Sequence, residues 1–175
     1  MRKDERVTVF IDGANLFFTL KDDFENLNLD FNLLAHKLVD DRRLVRTYYY
    51  TALPDQRLHP DRYAKQMRFL DALREKPYFT VILGRLESRG NTYVEKGVDI
   101  ALAVDMLQMA YSDAYDTAIL VSGDGDLSKV VEIVQRMGKH VENASTPSCL
   151  SYHLRNVCDK TVILNKDFLK NCWRK

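Results

Sequence analysis

Four aspartates carry the chemistry that this sequence offers: Asp12, Asp99, Asp124 and Asp126. Carboxylates are hard oxygen donors, and Mg²⁺ or Mn²⁺ are hard cations that take carboxylate and water as ligands. Such cations activate a water and stabilise a leaving oxygen, which is what hydrolysis of a phosphodiester needs. Asp12 opens Asp12-Gly13-Ala14-Asn15, Asp99 follows Lys96-Gly97-Val98, and the other two lie in Ser122-Gly123-Asp124-Gly125-Asp126. Taken singly, each has an ordinary reading. Asp-Gly after a strand is a turn, Asp99 complements a helix N-terminus, Asp126 is an N-cap, and Asn15 is a turn or capping side chain. Four like charges in one place repel one another and call for a counter-charge. Whether they share a place depends on the elements that carry them.

Those elements alternate. Val7-Thr8-Val9-Phe10-Ile11 is a nearly continuous apolar run, the pattern of a strand buried on both faces. A helix continues from Asn15 to Leu20, and Asp30 caps a second one through Leu38. Leu44 to Thr51 reads as a strand, Pro60 opens a helix to Arg74, and Tyr78 to Leu83 is a third strand. The polar stretch Gly84 to Tyr93 has room for a short hairpin, with Arg85, Glu87 and Arg89 along it. Val98 to Tyr111 is helical, Thr117 to Val121 a strand, and Asp126 to Met137 a helix closed by Gly138. His140 to Glu142 is a short strand, Ser148 to Val157 a helix, and Thr161 to Leu164 the last strand. The alternation predicts an open α/β sheet, mostly parallel; strand order does not follow from it. Ligands of such sheets bind beyond the C-terminal ends of the strands, where Asp12, Asp99, Asp124 and Asp126 all fall.

Asp105 stands apart from the other four acids in sequence setting, in the middle of an apolar helix. Its helix is apolar nearly all round, which predicts burial. Six residues past Asp99 it stands about 9 Å further along the axis and about 120° around it. It therefore reads as a structural or supporting acid, partnered by a backbone amide or a basic side chain.

The remaining composition narrows the classes. At 175 residues the chain predicts one domain, with a core over 7–165 and a basic C-terminal tail over 166–175. Lys plus Arg number 26 and Asp plus Glu 25, so net charge alone predicts no polyanion partner. Cys149, Cys158 and Cys172 form no paired spacing, which argues against a zinc site or disulfide framework and points to a reducing, cytoplasmic setting. The charged N-terminus and the lack of any long apolar run predict neither a secretory leader nor a membrane span. Haloacid-dehalogenase-type phosphatase chemistry wants a second acid two residues after the first, and position 14 is Ala. Dinucleotide binding fails as well, because Asp12-Gly13-Ala14-Asn15 is not a glycine-rich phosphate cradle. Tyr48, Tyr49 and Tyr50 alternate faces of a strand, the four histidines form no ligand spacing, and Trp173 reads as tail packing.

The three blocks 9–16, 96–106 and 121–127 resemble the NYN domain, more closely its LabA-like branch within the PIN-like nuclease superfamily. The segment from Asp159 to Leu164 is also similar to the last strand of that domain. The resemblance implies a three-layer α/β/α fold and a metal-dependent ribonuclease. It carries metal-site roles onto Asp12, Asp99, Asp124 and Asp126, with Asn15 beside them, and includes Lys96, Ser122 and Asp105 in its motif. Leu127 stands where many relatives have phenylalanine, a conservative departure. The expected activity is Mg²⁺- or Mn²⁺-dependent hydrolysis of RNA, single-stranded by preference, with no nucleotide cofactor. Lys96, Ser122, Lys129, Arg85 and Arg89 are the candidates for binding substrate. The competing expectation is a catalytically weak or inactive regulatory module on the same fold that binds RNA or a protein; a homo-oligomer or a protein partner is left open for either reading.

Overall fold

The computed structural model describes residues 3–89 and 92–174, with the backbone alone over 85–89 and 92–96. Its strands are β1 (Arg6–Asp12), β2 (Arg43–Thr51), β3 (Phe79–Leu83), β4 (Arg85–Arg89), β5 (Thr92–Lys96), β6 (Thr117–Val121), β7 (His140–Ser145) and β8 (Lys160–Ile163). Its helices are α1 (Gly13–Phe24), α2 (Phe31–Val39), α3 (Pro60–Arg74), α4 (Val98–Tyr111), α5 (Ser128–Arg136), α6 (Tyr152–Val157) and α7 (Lys166–Leu169). Six strands form one sheet in the order β3-β2-β1-β6-β7-β8, every neighbouring pair parallel. β4 and β5 pair with each other as an antiparallel hairpin, the option that the polar stretch after β3 left open.

The apolar strands are explained by what covers them. Val7, Val9 and Ile11 face one cluster with Leu16 and Leu20 of α1, Leu34 and Leu38 of α2, and Leu70 and Leu73 of α3. Phe10, Ala118 and Leu120 face the other cluster, with Leu102 and Met106 of α4, Val131 and Val134 of α5, and Leu154 of α6. Successive side chains of a strand point to opposite faces, so a strand covered on both sides is apolar nearly throughout, Thr8 and Thr117 being buried exceptions within β1 and β6. The tyrosines of β2 obey the same alternation: Tyr49 joins the first cluster, Tyr48 and Tyr50 the second. The result is the three-layer α/β/α architecture.

Three expectations change. α4 is not buried all round: Val98, Leu102, Met106 and Ala110 are buried, but Ile100, Val104 and Tyr111 are exposed. An apolar composition sets no preferred face, so it cannot say how much of a helix lies against the sheet. The helix expected from Asp126 begins at Ser128, preceded by a tight 3-10 turn over Gly125–Leu127 that the Asp124 side chain caps. The helix expected from Ser148 begins at Tyr152, after a 3-10 turn over Pro147–Cys149. Within 166–174, Leu169 and Cys172 are buried in the first cluster and Phe168 and Trp173 pack against it. Trp173 stacks edge-on against Phe24 at 5.8 Å. Among the described residues no helix is long and apolar enough to cross a membrane.

Candidate active site

The chain runs outward from β1 through β2 to β3, then returns to place β6 on the opposite flank of β1. A crevice opens at such a reversal, outside the C-terminal ends of the two central strands. Asp12 is the last residue of β1, and Ser122 follows directly on β6. Asp99 reaches the same edge from the first turn of α4.

Asp12 is almost fully buried and held at both oxygens. Its Oδ1 accepts from the Asn15 backbone N–H at 3.0 Å, capping α1, and its Oδ2 accepts from the Ser122 hydroxyl at 3.0 Å. The Ser122 Oγ in turn accepts from the Asp124 N–H at 3.0 Å, and Asp124 Oδ1 accepts from the Asp126 N–H at 2.9 Å. Asn15 adds the cross-tie: its Oδ1 accepts from the Gly123 N–H at 3.0 Å. Its amide also lies 3.6 Å from Cys149 Sγ. Gly123 is required there, because a Cβ would stand 2.1 Å from both the Cys149 carbonyl oxygen and its sulfur. Strand ends, α1 and the loop after β7 are thus tied around one row of acids.

The acids sense one another. Burial pushes the Asp12 carboxyl up from its ordinary range, and the charges of Asp99 and Asp124 push it the same way, against the hydrogen bonds from Asn15 and Ser122. Asp99 is raised too, by partial desolvation and by the charges of Asp124 and Asp126. Asp12, Asp99, Asp124 and Asp126 therefore occupy one electrostatic neighbourhood, and among the described residues none of them has a cationic partner. In these positions no three His, Cys, Asp or Glu side chains among the described residues are grouped closely enough to hold one ion together. The donor chemistry still suits Mg²⁺, which keeps several waters and needs only one or two direct carboxylates.

The other expected residues fall as follows. Ser122 is buried with its hydroxyl engaged by Asp12 and Asp124, so it positions acids rather than presenting itself to a substrate. Lys129 is exposed on α5 and pairs with Glu132 at 2.9 Å. Lys96, Arg85 and Arg89 lie outside the residues whose side chains are described. Among the described residues Asp105 takes neither a backbone amide nor a basic partner: the Tyr50 hydroxyl donates to its Oδ2 at 2.9 Å. It is half-buried on the strand-facing side of α4, because the helix turn that separates it from Asp99 directs it at β2. Sequence reasoning missed Cys149 and the segment 151–153, which close the site from beyond β7. Applying the strand-end rule to β7 as well as to β1 and β6 would have found them.

The NYN domain family model matches residues 6–165. The low amplitude and bright protein LabA of Synechococcus elongatus is 31% identical over 170 residues, covering 93% of this chain and 86% of that protein. The crystal structure of a protein of unknown function from Vibrio parahaemolyticus is similar with a TM-score of 0.78 and 27% identity, covering 97% of this chain and 98% of that one. Fold, acid row and all three comparisons agree: the chain belongs to the NYN domain family, in its LabA-like branch, within the PIN-like nuclease superfamily.

Proposed function

We infer that this protein is a Mg²⁺- or Mn²⁺-dependent ribonuclease that hydrolyses phosphodiester bonds of single-stranded RNA. The observation that carries the reading is the hydrogen-bonded row Asp12–Ser122–Asp124–Asp126 where β1 and β6 end, with Asp99 in the same electrostatic neighbourhood. A divalent cation, when bound, supplies a Lewis acid for the phosphoryl oxygen and a more acidic water. Asp12 would help to hold it, since its carboxylate is fixed in place by Asn15 and Ser122. Asp99 and Asp126 are exposed, so they can reach ion or ion-bound water from the solvent side. Asn15 keeps the Gly123–Asp126 turn in register with α1. Exposed cations such as Lys129 are the candidates for meeting the substrate's phosphates, together with Lys96, Arg85 and Arg89. Membership of a nuclease superfamily supports RNA as the polymer.

The test compares wild type with Asp12→Asn and Asp126→Asn, purified identically, on a labelled single-stranded RNA with Mn²⁺ and with EDTA. Metal-dependent cleavage by wild type alone is the expected result. Equal cleavage by all three would mark a contaminant. Metal binding without cleavage of any RNA or DNA would instead make the protein a regulatory module that binds RNA or a protein.

A further inference from the structure

Two aromatic side chains stand at the rim of the acid row with no place in the core. Tyr152 opens α6 and is 74% exposed, and His153 beside it is exposed as well. Their rings meet edge to face at 5.9 Å. His153 is tied to the site through Gly125, the residue between Asp124 and Asp126, and Tyr152 through its ring contact with His153. A Cβ on Gly125 would come within 3.0 Å of Ser151 Oγ and 3.3 Å of the His153 ring. The first turn of α6 is thus packed directly on the turn that carries two of the acids. Leu154, the next residue, is fully buried, so the backbone that presents the rings is anchored.

What sets these rings apart from other exposed side chains is their place beside the acid-bearing turn, where the hydrophobic clusters do not cover them. Tyr152 lies outside both clusters. A planar nucleobase is the group whose chemistry matches such a ring, since every base has a π face and stacking needs no sequence code. In a duplex those faces are already stacked, whereas a single strand leaves them free. We propose that Tyr152, with His153 beside it, forms a nucleobase-stacking subsite next to the scissile phosphate and selects single-stranded RNA over duplex. The proposal rests on the ribonuclease reading for the location of that phosphate. Binding by stacking also suits a chain of net charge +1, which has little excess positive charge to hold a polyanion.

The experiment measures binding and cleavage separately on the full-length protein. Fluorescence anisotropy of a fluorescein-labelled decauridylate in Ca²⁺ reads affinity, and the same oligonucleotide in Mn²⁺ reads hydrolysis. Tyr152→Ala should weaken binding on the order of tenfold, the scale of one lost base–aromatic stack. It should also narrow the preference for the single strand over a matched duplex. Tyr152→Phe should bind like wild type, because the ring face is kept. Tyr111→Ala should also bind like wild type: Tyr111 is 85% exposed but lies at the far end of α4, about 18 Å along the helix from Asp99. Unchanged affinity in Tyr152→Ala, an equal loss in Tyr111→Ala, or no binding by wild type would each overturn the subsite. Weakened binding by Tyr152→Ala in a protein that never cleaves would uphold stacking and remove the hydrolase. Cleavage by wild type with unchanged affinity in Tyr152→Ala would do the reverse.

Discussion

The two ends of the central sheet treat carboxylates in opposite ways. At the N-terminal ends of the strands every acid in the network has a cation. Arg6 bonds Asp116 at 2.7 Å and Asp113 at 3.0 Å, and Lys139 also pairs with Asp113. Arg42, whose side chain is 1% exposed, bonds Glu142 at 2.9 Å and Glu5 at 3.3 Å. At the C-terminal ends Asp12, Asp99, Asp124 and Asp126 share one electrostatic neighbourhood, with no cationic partner among the described residues. The pKa values split accordingly. Lys139 and Arg6 hold Asp113 below the ordinary carboxylate range, and Arg6 does the same for Asp116. Asp12 and Asp99 are pushed above it. One edge uses charge to close the fold; the other leaves its negative charge without a cation among the described residues, the charge that the proposed divalent cation would balance.

The difference is broken most severely by removing charge from either end. Asp99→Asn should lower metal-dependent kcat/KM by at least about a hundredfold, beyond what outer partners of a metal site cost, with little change in melting temperature. Arg42→Met should do the opposite, leaving Glu142 buried without its main partner. The expected destabilisation is about 3 kcal/mol by urea titration, the low end for a broken buried pair. Lys160, 3.6 Å from Glu142, softens the loss. Retention of activity by the folded fraction of Arg42→Met would sharpen the contrast, and its loss would couple the two edges.

A smaller effect belongs to the acid that sits between these regimes. Asp105→Ala should cost roughly 1–3 kcal/mol, because it strands the hydroxyl of Tyr50, a fully buried side chain. Tyr50→Phe should cost less, since half-buried Asp105 can turn to water. Equal losses in the two variants would mean that the pair is not what anchors Asp105.

How much of this was legible varied with the range of the interactions. The bounds of α3, α4 and β6 coincide with those expected, as does the Asp30 cap, because Pro60, local periodicity and a capping aspartate are local signals. The meeting of Asp12, Asp99 and the Asp124–Asp126 turn followed from one rule about strand ends. What escaped was non-local. Arg42 and Glu142 are 100 residues apart, Asn15 and Cys149 are 134 apart, and nothing in either neighbourhood advertises the other. The solvent face of α4, with Ile100 and Val104 exposed, escaped because hydrophobicity on every side carries no direction. β7 runs on to Ser145 through Asn143, whose side-chain amide donates to the Leu120 and Ser122 carbonyls, a use of a buried polar residue that short-range pattern does not disclose.

The subtlest expected effect is pH dependence of the metal-free protein. Asp12 and Asp99 have raised values, so their contribution to stability is complete below the ordinary carboxylate pKa of about 4 and is lost as pH rises through the raised values. Asp113 and Asp116 have lowered values, so theirs is present above about 4 and lost as pH falls through the lowered ones. Urea midpoints should therefore show Asp99→Asn gaining on wild type between about pH 4 and 7. A difference that stays constant over that range would contradict the assignment.

The central claim, that the C-terminal edge is an anionic site completed by a divalent cation, is tested most directly by melting temperature against Mn²⁺ concentration for wild type and Asp124→Asn. Asparagine keeps the Oδ1 that caps the Asp126 N–H, so the substitution removes charge without removing the turn's hydrogen bond. Without metal the variant should melt no lower than wild type. With Mn²⁺ wild type should rise steadily, by about 2.7 kcal/mol of stability at a hundred times the dissociation constant, and the variant should lag far behind. A wild-type melting temperature unmoved by millimolar Mn²⁺, or a variant that rises in parallel with it, would contradict the account.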